Sequence, residues 1–265
     1  MISAQQCAPH PALALFVKAY AFLHSQHRSP QLMLPLAPVP ETCLYFYPKS
    51  PLQIQSLTGQ LYTTPDNVLL GQATARTNLL MPADYLMFKV WLQPAGFFRL
   101  FGIPMTLFTN SHEEIQSVLG NQIKPVREQI EQAQTFQQMV AIMDAFLLKK
   151  IGTYKVQRHP IDAVIAGMHS PNTRFSLDEL AHQACLSTRQ FERKFLERTG
   201  VSPKFYNRLV RFNQAMNLKK KQASLSWLAI AYQCGYFDHN HLLRDFKEFM
   251  GQNPSEFSFG EAIIY

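Results

Sequence analysis

The chain has 265 residues, 47% of them hydrophobic and 16% charged, which excludes intrinsic disorder, a state that needs low hydrophobicity and high charge. Its 25 Lys and Arg against 18 Asp and Glu leave a net +7, a surplus that suits an anionic partner but, as an average, does not locate one. The four cysteines, Cys7, Cys43, Cys185 and Cys234, form no C-x-x-C pair, which argues against a zinc knuckle or a dithiol redox motif and for a reducing compartment.

The first apolar stretch, Ala12–Leu23, is interrupted by Lys18 and preceded by no Lys or Arg, so it is not read as a targeting segment. No run reaches the roughly 18 to 20 apolar residues that span a bilayer. The expectation is a soluble, cytoplasmic protein without a membrane partner. Residues 1–110 carry most of the prolines, and short apolar segments lie between them. Cys43–Tyr47, Leu52–Leu57, Val68–Leu70 and Tyr85–Leu92 have strand length, aromatic and branched residues, and turn formers at their ends. Ala95–Phe101 reads as a short helix after the last of these strands.

Residues 111–155 change character as Gln, Glu, Ala and Leu replace Gly and Pro. Ser111, with Glu114 three residues on, suggests a capped helix start. Val126–Gln134 and Phe136–Ile151 read as two further helices, with Gly152 as a stop. This hairpin is expected either to link or dimerise the protein or to pack on the β-rich part. The fold class is therefore α+β: a mostly β sensor-like domain with a helical hairpin (1–155), followed by an all-α domain (156–265).

That second part contains a duplication. At an offset of 51, Arg193, Phe195, Glu197, Gly200 and Pro203 recur as Arg244, Phe246, Glu248, Gly251 and Pro254, and Tyr206 meets Phe257. Upstream, at an offset of 50, Ser176, Leu177, Leu180, Ala181 and Ala184 align with Ser226, Trp227, Ile230, Ala231 and Cys234. Each set is an N-cap followed by one apolar helical face. The single extra residue falls in the turn of the second copy, beside Gly235. The predicted helices are Leu177–Ala184 and Thr188–Thr199, then Trp227–Gln233 and His239–Met250, with Ser187 and Asp238 as matched caps. Gly200 and Gly251 supply helix stops, and Ser202–Lys220 is a long helix joining two helix-turn-helix units.

Charge concentrates in the same place. Residues 187–221 hold 10 basic and 2 acidic residues, a local net of +8, which is a better footprint for nucleic acid than a diffuse excess. On the second helix of each unit, Phe191 and Phe195, or Leu242 and Phe246, fall on an inner face. Arg189 and Arg193, or Asn240 and Arg244, fall outside. Arg pairs bidentately with guanine and Asn with adenine, although exposed arginines more commonly belong to a solvated charged face.

Residues 156–258 resemble the DNA-binding domain of the AraC/XylS transcription regulators through LDELAHQACLSTRQFERKFLERTGVSPKFYNRLVRFNQA and LAIAYQCGYFDHNHLLRDFKEFMGQNPSEF. The resemblance implies two helix-turn-helix units about one turn of double-stranded DNA apart, with recognition helices in successive major grooves. Carried over by position, the base readers are Arg189, Glu192 and Arg193, then His239, Asn240 and Arg244. Ser187, Lys194, Lys204, Arg208 and Arg211 are candidates for phosphate contact, with Lys219–Lys221 less defined. Arg208 and Arg211 have the alternative of pairing with Glu192 or Glu197.

The resemblance also implies an N-terminal domain that binds a small-molecule effector or a second subunit as a homodimer, and RNA polymerase as a partner if the chain activates. The segment Val90–Pro104 is similar to a stretch in an uncharacterised group of such regulators. Tyr85, Phe88 and Trp91 are the candidate effector-pocket residues, with plain core as their ordinary alternative. His24 and His27 are read as surface histidines, so no metal and no cofactor is expected. No G-x-S-x-G, H-E-x-x-H or P-loop pattern occurs, and the chain is not expected to be an enzyme. Two competing readings stand beside this one. In the first, an enzymatic N-terminal domain is tethered to the DNA-binding module; its DNA-repair version, which needs clustered cysteines, finds only Cys7 and Cys43 there. In the second, the β domain only dimerises.

Overall fold

The computed structural model describes residues 2–56, 58–153, 159–169 and 176–257. The expected boundary at 155/156 lies outside them. Strands β1 (Ile2–Cys7), β2 (Val17–Leu36), β3 (Cys43–Phe46), β4 (Gln53–Gln55), β5 (Leu61–Thr63), β6 (Asn67–Leu70), β7 (Thr77–Leu92) and β8 (His112–Glu114) form one antiparallel sheet. Its order is β1-β2-β7-β3-β6-β8, and β4 and β5 form a side branch. The 16-residue β7 is the spine. It pairs with β2 along its length, with β3 at Phe88–Trp91 and with β4 at Asn78–Leu80.

The four expected strands are present, but β7 starts eight residues earlier than its aromatic run suggests, because Asn78–Pro82 find partners in β2 and β4. β1, β2, β5 and β8 were not predicted. The start of the helical segment is corrected too: Ser111 caps nothing, since the next three residues pair with β6 and the helix begins at Ile115.

Side chains alternate along β7, as a pleated strand requires. Phe88, Val90 and Leu92 enter a core formed with α1 (Gly96–Phe101), α2 (Ile115–Leu119), α3 (Lys124–Gln132) and α4 (Phe136–Thr153). Val126, Ile130, Phe136, Met139, Met143 and Leu147 belong to the same core, so the helical hairpin packs on the β domain. Gly152 does not end α4, which runs through Thr153. Tyr85 and Met87, on the opposite pleat, join Tyr47, Leu52, Val68 and Met81 in a second cluster.

The remaining helices are α5 (Pro160–Gly167), α6 (Leu177–Gln183), α7 (Thr188–Thr199), α8 (Pro203–Lys221), α9 (Trp227–Gln233) and α10 (His239–Met250). Two cores hold them. Phe191 and Phe195 meet Ile161, Leu180 and Tyr206 in one; Leu242 and Phe246 meet Phe212, Ile230 and Phe249 in the other.

The β domain grips both helical units. Asp162 on α5 meets Arg198 Nε at 2.8 Å and Arg99 Nε of α1 at 3.5 Å, all three side chains being nearly buried. The Arg198 guanidinium also lies over the Phe98 ring at 4.7 Å. Gly200, at φ +82, receives Thr109 Oγ1 on its carbonyl at 2.8 Å. A Cβ there would stand 3.0 Å from the Met105 carbonyl oxygen, so both the backbone conformation and the close approach require glycine. Further along, Asn213 Nδ2 donates to the Pro38 carbonyl at 2.9 Å, and the Arg76 amide to Phe249 at 2.9 Å.

Two predictions follow from this packing. Asp162→Ala removes the carboxylate that buried Arg198 is hydrogen-bonded to and should cost about 3–5 kcal/mol in chemical denaturation; an unchanged midpoint refutes the role of the pair. Burial holds His112 and His169 at about 4, with Lys18 adding to the effect at His169. Unfolded imidazoles titrate near 6.5. The unfolded chain therefore binds more protons in that window, and stability should fall as pH drops from about 6.5 through about 4. Urea midpoints across the window test this, and His169→Asn should make the dependence shallower.

Candidate nucleic-acid interface

Each unit is organised by its caps. Ser176 accepts from the Glu179 amide at 3.1 Å while Glu179 returns to the Ser176 amide at 2.8 Å. The hydrogen bond from the Ser176 amide, and then the Ser176 side chain, lower the Glu179 pKa. Ser187 and Gln190 repeat this reciprocal box at the start of α7, at 3.4 and 3.2 Å. In the second unit Ser226 caps α9, and Asp238 caps α10 by accepting from the His241 amide at 2.7 Å.

The turns match as well. Leu186 donates to the Ala181 carbonyl at 3.0 Å, and Tyr236 to the Ala231 carbonyl at 2.9 Å. Cys185 and Gly235 take the left-handed conformation at equivalent places, with φ 55 and 72. The two units are therefore built alike at their turns as well as in their helices.

This construction fixes which residues face outward. Phe191, Phe195, Leu242 and Phe246 are fully buried. Arg189, Glu192 and Arg193 are exposed on α7, and Asn240 and Arg244 are exposed at the corresponding positions of α10. His239, the first residue of α10, is half-buried.

The phosphate candidates divide. Lys204 is exposed at the start of α8, and Lys194 is half-buried on α7. Ser187 has its hydroxyl engaged as a cap. Arg208 and Arg211 turn inward instead. Arg208 Nη2 meets Asp245 Oδ1 at 2.8 Å and also Glu248 Oε2, and Arg211 Nη2 is 3.9 Å from Asp245 Oδ2. The Arg211 guanidinium stacks 4.3 Å from the Tyr236 ring. Their carboxylate partners lie in the second unit rather than at Glu192 or Glu197. The hydrogen bonds that Arg208 donates to Glu248 outweigh desolvation and raise the Arg208 pKa further. Both arginines thus fasten the joining helix to α10, and they are corrected from phosphate contacts to structural ties. Lys219 Nζ donates to the Ala223 and Leu225 carbonyls at 2.6 and 2.7 Å, closing the end of α8. Sequence reasoning did not single out Arg198 or Asp245, because charge spacing alone does not reveal a partner from another helix.

On the β domain, Tyr85 and Trp91 line a cavity of about 290 Å³ with Tyr45, Tyr47, Met87 and Lys89. Phe88 points the other way, into the helix-covered core, since it occupies the opposite pleat; its place in a pocket is corrected. Lys89 Nζ pairs with Glu41 at 2.9 Å. Burial pushes the Cys43 thiol up to about 12. His24 Nε2 lies 2.8 Å from Asp84, and the ring nitrogens of His27 are shielded from solvent. Among the described residues no group of three His, Cys, Asp or Glu could hold a metal ion, and no helix is long and apolar enough to cross a membrane.

Residues 180–258 match the model of a helix-turn-helix domain, and residues 5–114 match that of a domain of unknown function (DUF6597). An uncharacterised HTH-type transcriptional regulator of Haemophilus influenzae is 34% identical over 95 residues, 36% of this chain and 32% of that protein. The HTH-type transcriptional regulator GbdR of Pseudomonas aeruginosa is 28% identical over 153 residues, 57% of this chain and 35% of that one. The chain spans about a third of the length of these curated relatives. The crystal structure of ToxT from Vibrio cholerae is similar with a TM-score of 0.43 and 13% identity, over 89% of this chain and 95% of that chain.

The two classes of basic residue are separable by experiment. Arg208→Ala, which strips a hydrogen-bonded partner from nearly inaccessible Asp245, should lower stability by roughly 1–3 kcal/mol. Lys204→Ala should leave stability unchanged and reduce the slope of log affinity for DNA against log salt by about 1. Denaturation and salt titration of both variants distinguish them, and a reversed pattern overturns the assignment.

Proposed function

We propose that residues 180–258, which match a helix-turn-helix domain model, are a DNA-binding domain of the AraC/XylS type, and that the chain is a sequence-specific DNA-binding transcription regulator. The observation that carries this reading is the equivalence of two outward faces. Arg189 and Arg193 on α7, and Asn240 and Arg244 on α10, project from helices that have side-chain caps at equivalent positions, matching turns and equivalent buried sides. In this reading α7 and α10 enter successive major grooves, with Glu192 and His239 completing the base-reading sets. Lys194, Lys204 and the Ser187 end of α7 approach phosphates, supplying sequence-independent affinity. The chain acts in the cytoplasm, as a homodimer through residues 1–155, and engages RNA polymerase where it activates.

The β domain is the proposed control element, and it takes a small-molecule effector. Its cavity supports this: the walls are largely apolar, from Leu23, Leu52, Ile54, Met81 and Met87, with Tyr45, Tyr85 and Lys89 as polar points. The contacts of Asp162, Gly200, Asn213 and Phe249 with the β domain support coupling, because they reach both helix-turn-helix units and the helix between them.

The test is selection from a randomised DNA pool by the full chain, read by sequencing. A two-part motif with centres about one helical turn apart is expected. Arg193→Ala should cost about 1–3 kcal/mol on that site and relax preference at one base pair. Equal weakening on all sequences removes Arg193 from base reading, and failure of the full chain to enrich any sequence refutes the regulator reading.

A further inference from the structure

The two units differ by one residue, and the structure identifies it. The Leu186–Ala181 and Tyr236–Ala231 hydrogen bonds correspond at an offset of 50, as do the left-handed residues Cys185 and Gly235. From the caps onward, Ser187 and Asp238 correspond at an offset of 51. The inserted residue therefore lies between Tyr236 and Asp238: it is Phe237. Tyr236 fills the core position that Leu186 approaches in the first unit, so the core is complete without the insertion. The left-handed turn also precedes it. Phe237 is 79% exposed, on a segment that is otherwise packed or polar.

Its position gives this exposure a use. Phe237 directly precedes the residue that caps α10, and so stands at the same helix end as His239 and Asn240. A recognition helix presents its N-terminal residues to base edges. There an aromatic ring has one apolar partner, the C5-methyl group of thymine, which projects into the major groove. We propose that Phe237 is a specificity residue that reads a thymine methyl beside the bases contacted by α10. The first unit has no equivalent, so the two half-sites differ: one is read by polar groups alone, the other by polar groups and an apolar contact. This proposal rests on the DNA-binding reading above.

The test uses the full chain and the DNA site it selects from a randomised pool. Each thymine of the α10 half-site is replaced in turn by deoxyuridine, which deletes only the methyl group. One replacement should weaken wild-type binding roughly three- to tenfold, the scale of one buried methyl. Phe237→Ala should bind the unmodified site more weakly by a similar factor and be indifferent to that replacement, with Phe237→Leu recovering part of the discrimination. Thermal melts of both variants should match wild type, since the side chain is exposed. Specific binding by wild type with no methyl effect, or a methyl effect that persists in Phe237→Ala, overturns this inference and leaves the DNA-binding reading standing. An unchanged affinity of Phe237→Ala for DNA likewise overturns it. Absence of specific binding by wild type sinks both.

Discussion

Carboxylates withdrawn from water and held by guanidiniums set the geometry on which the molecule depends. Asp162 ties the first unit to the β domain through Arg198 and Arg99, and Asp245 ties α10 to the joining helix through Arg208 and Arg211. A buried charge without its partner is costly, whereas a matched pair is close to neutral in net stability. The consequence is directional: these pairs disfavour alternative placements of α7 and α10 more than they add stability. The proposed reading of two adjacent grooves needs a fixed relative setting of α7 and α10, which apolar packing, being non-directional, specifies less sharply.

The duplication shows which features of a helix-turn-helix unit are structural and which are free to vary. Caps, left-handed turns, glycine stops and buried aromatics recur because each answers a backbone or packing requirement. The outer faces carry no such requirement, and there the copies diverge: Arg189 against Asn240, and an added Phe237 in one turn only. Position 194 against 245 makes the same point from the inside. Lys194 is half-buried, whereas its counterpart Asp245 is buried and clamped by Arg208. One copy has thus turned an edge position into an anchor.

The β domain places two kinds of surface on one strand. Alternate residues of β7 serve the helix-covered core and the cavity, so the run from Tyr85 to Leu92 is divided between the two faces of the sheet. This divides Tyr85 and Trp91 from Phe88, three aromatics that composition groups together.

The helical part was largely legible in the sequence, because helices are local: a cap, a period of apolar residues and a glycine stop lie within a dozen positions of one another. Thr188–Thr199, Trp227–Gln233 and His239–Met250 have the predicted ends, and the outward placement of Arg189, Arg193, Asn240 and Arg244 follows from periodicity alone. Strands answer to distant partners, which is why the full extent of β7, the pairing of His112–Glu114 with β6 and the failure of Ser111 as a cap appeared only in three dimensions. The same holds for charge. A sequence counts arginines, but only the folded chain decides that Arg198, Arg208 and Arg211 meet carboxylates while Arg189 and Arg193 stay in solvent, since these ion pairs join helices whose paired residues lie far apart in the linear order, by 36 positions for Arg198 and Asp162.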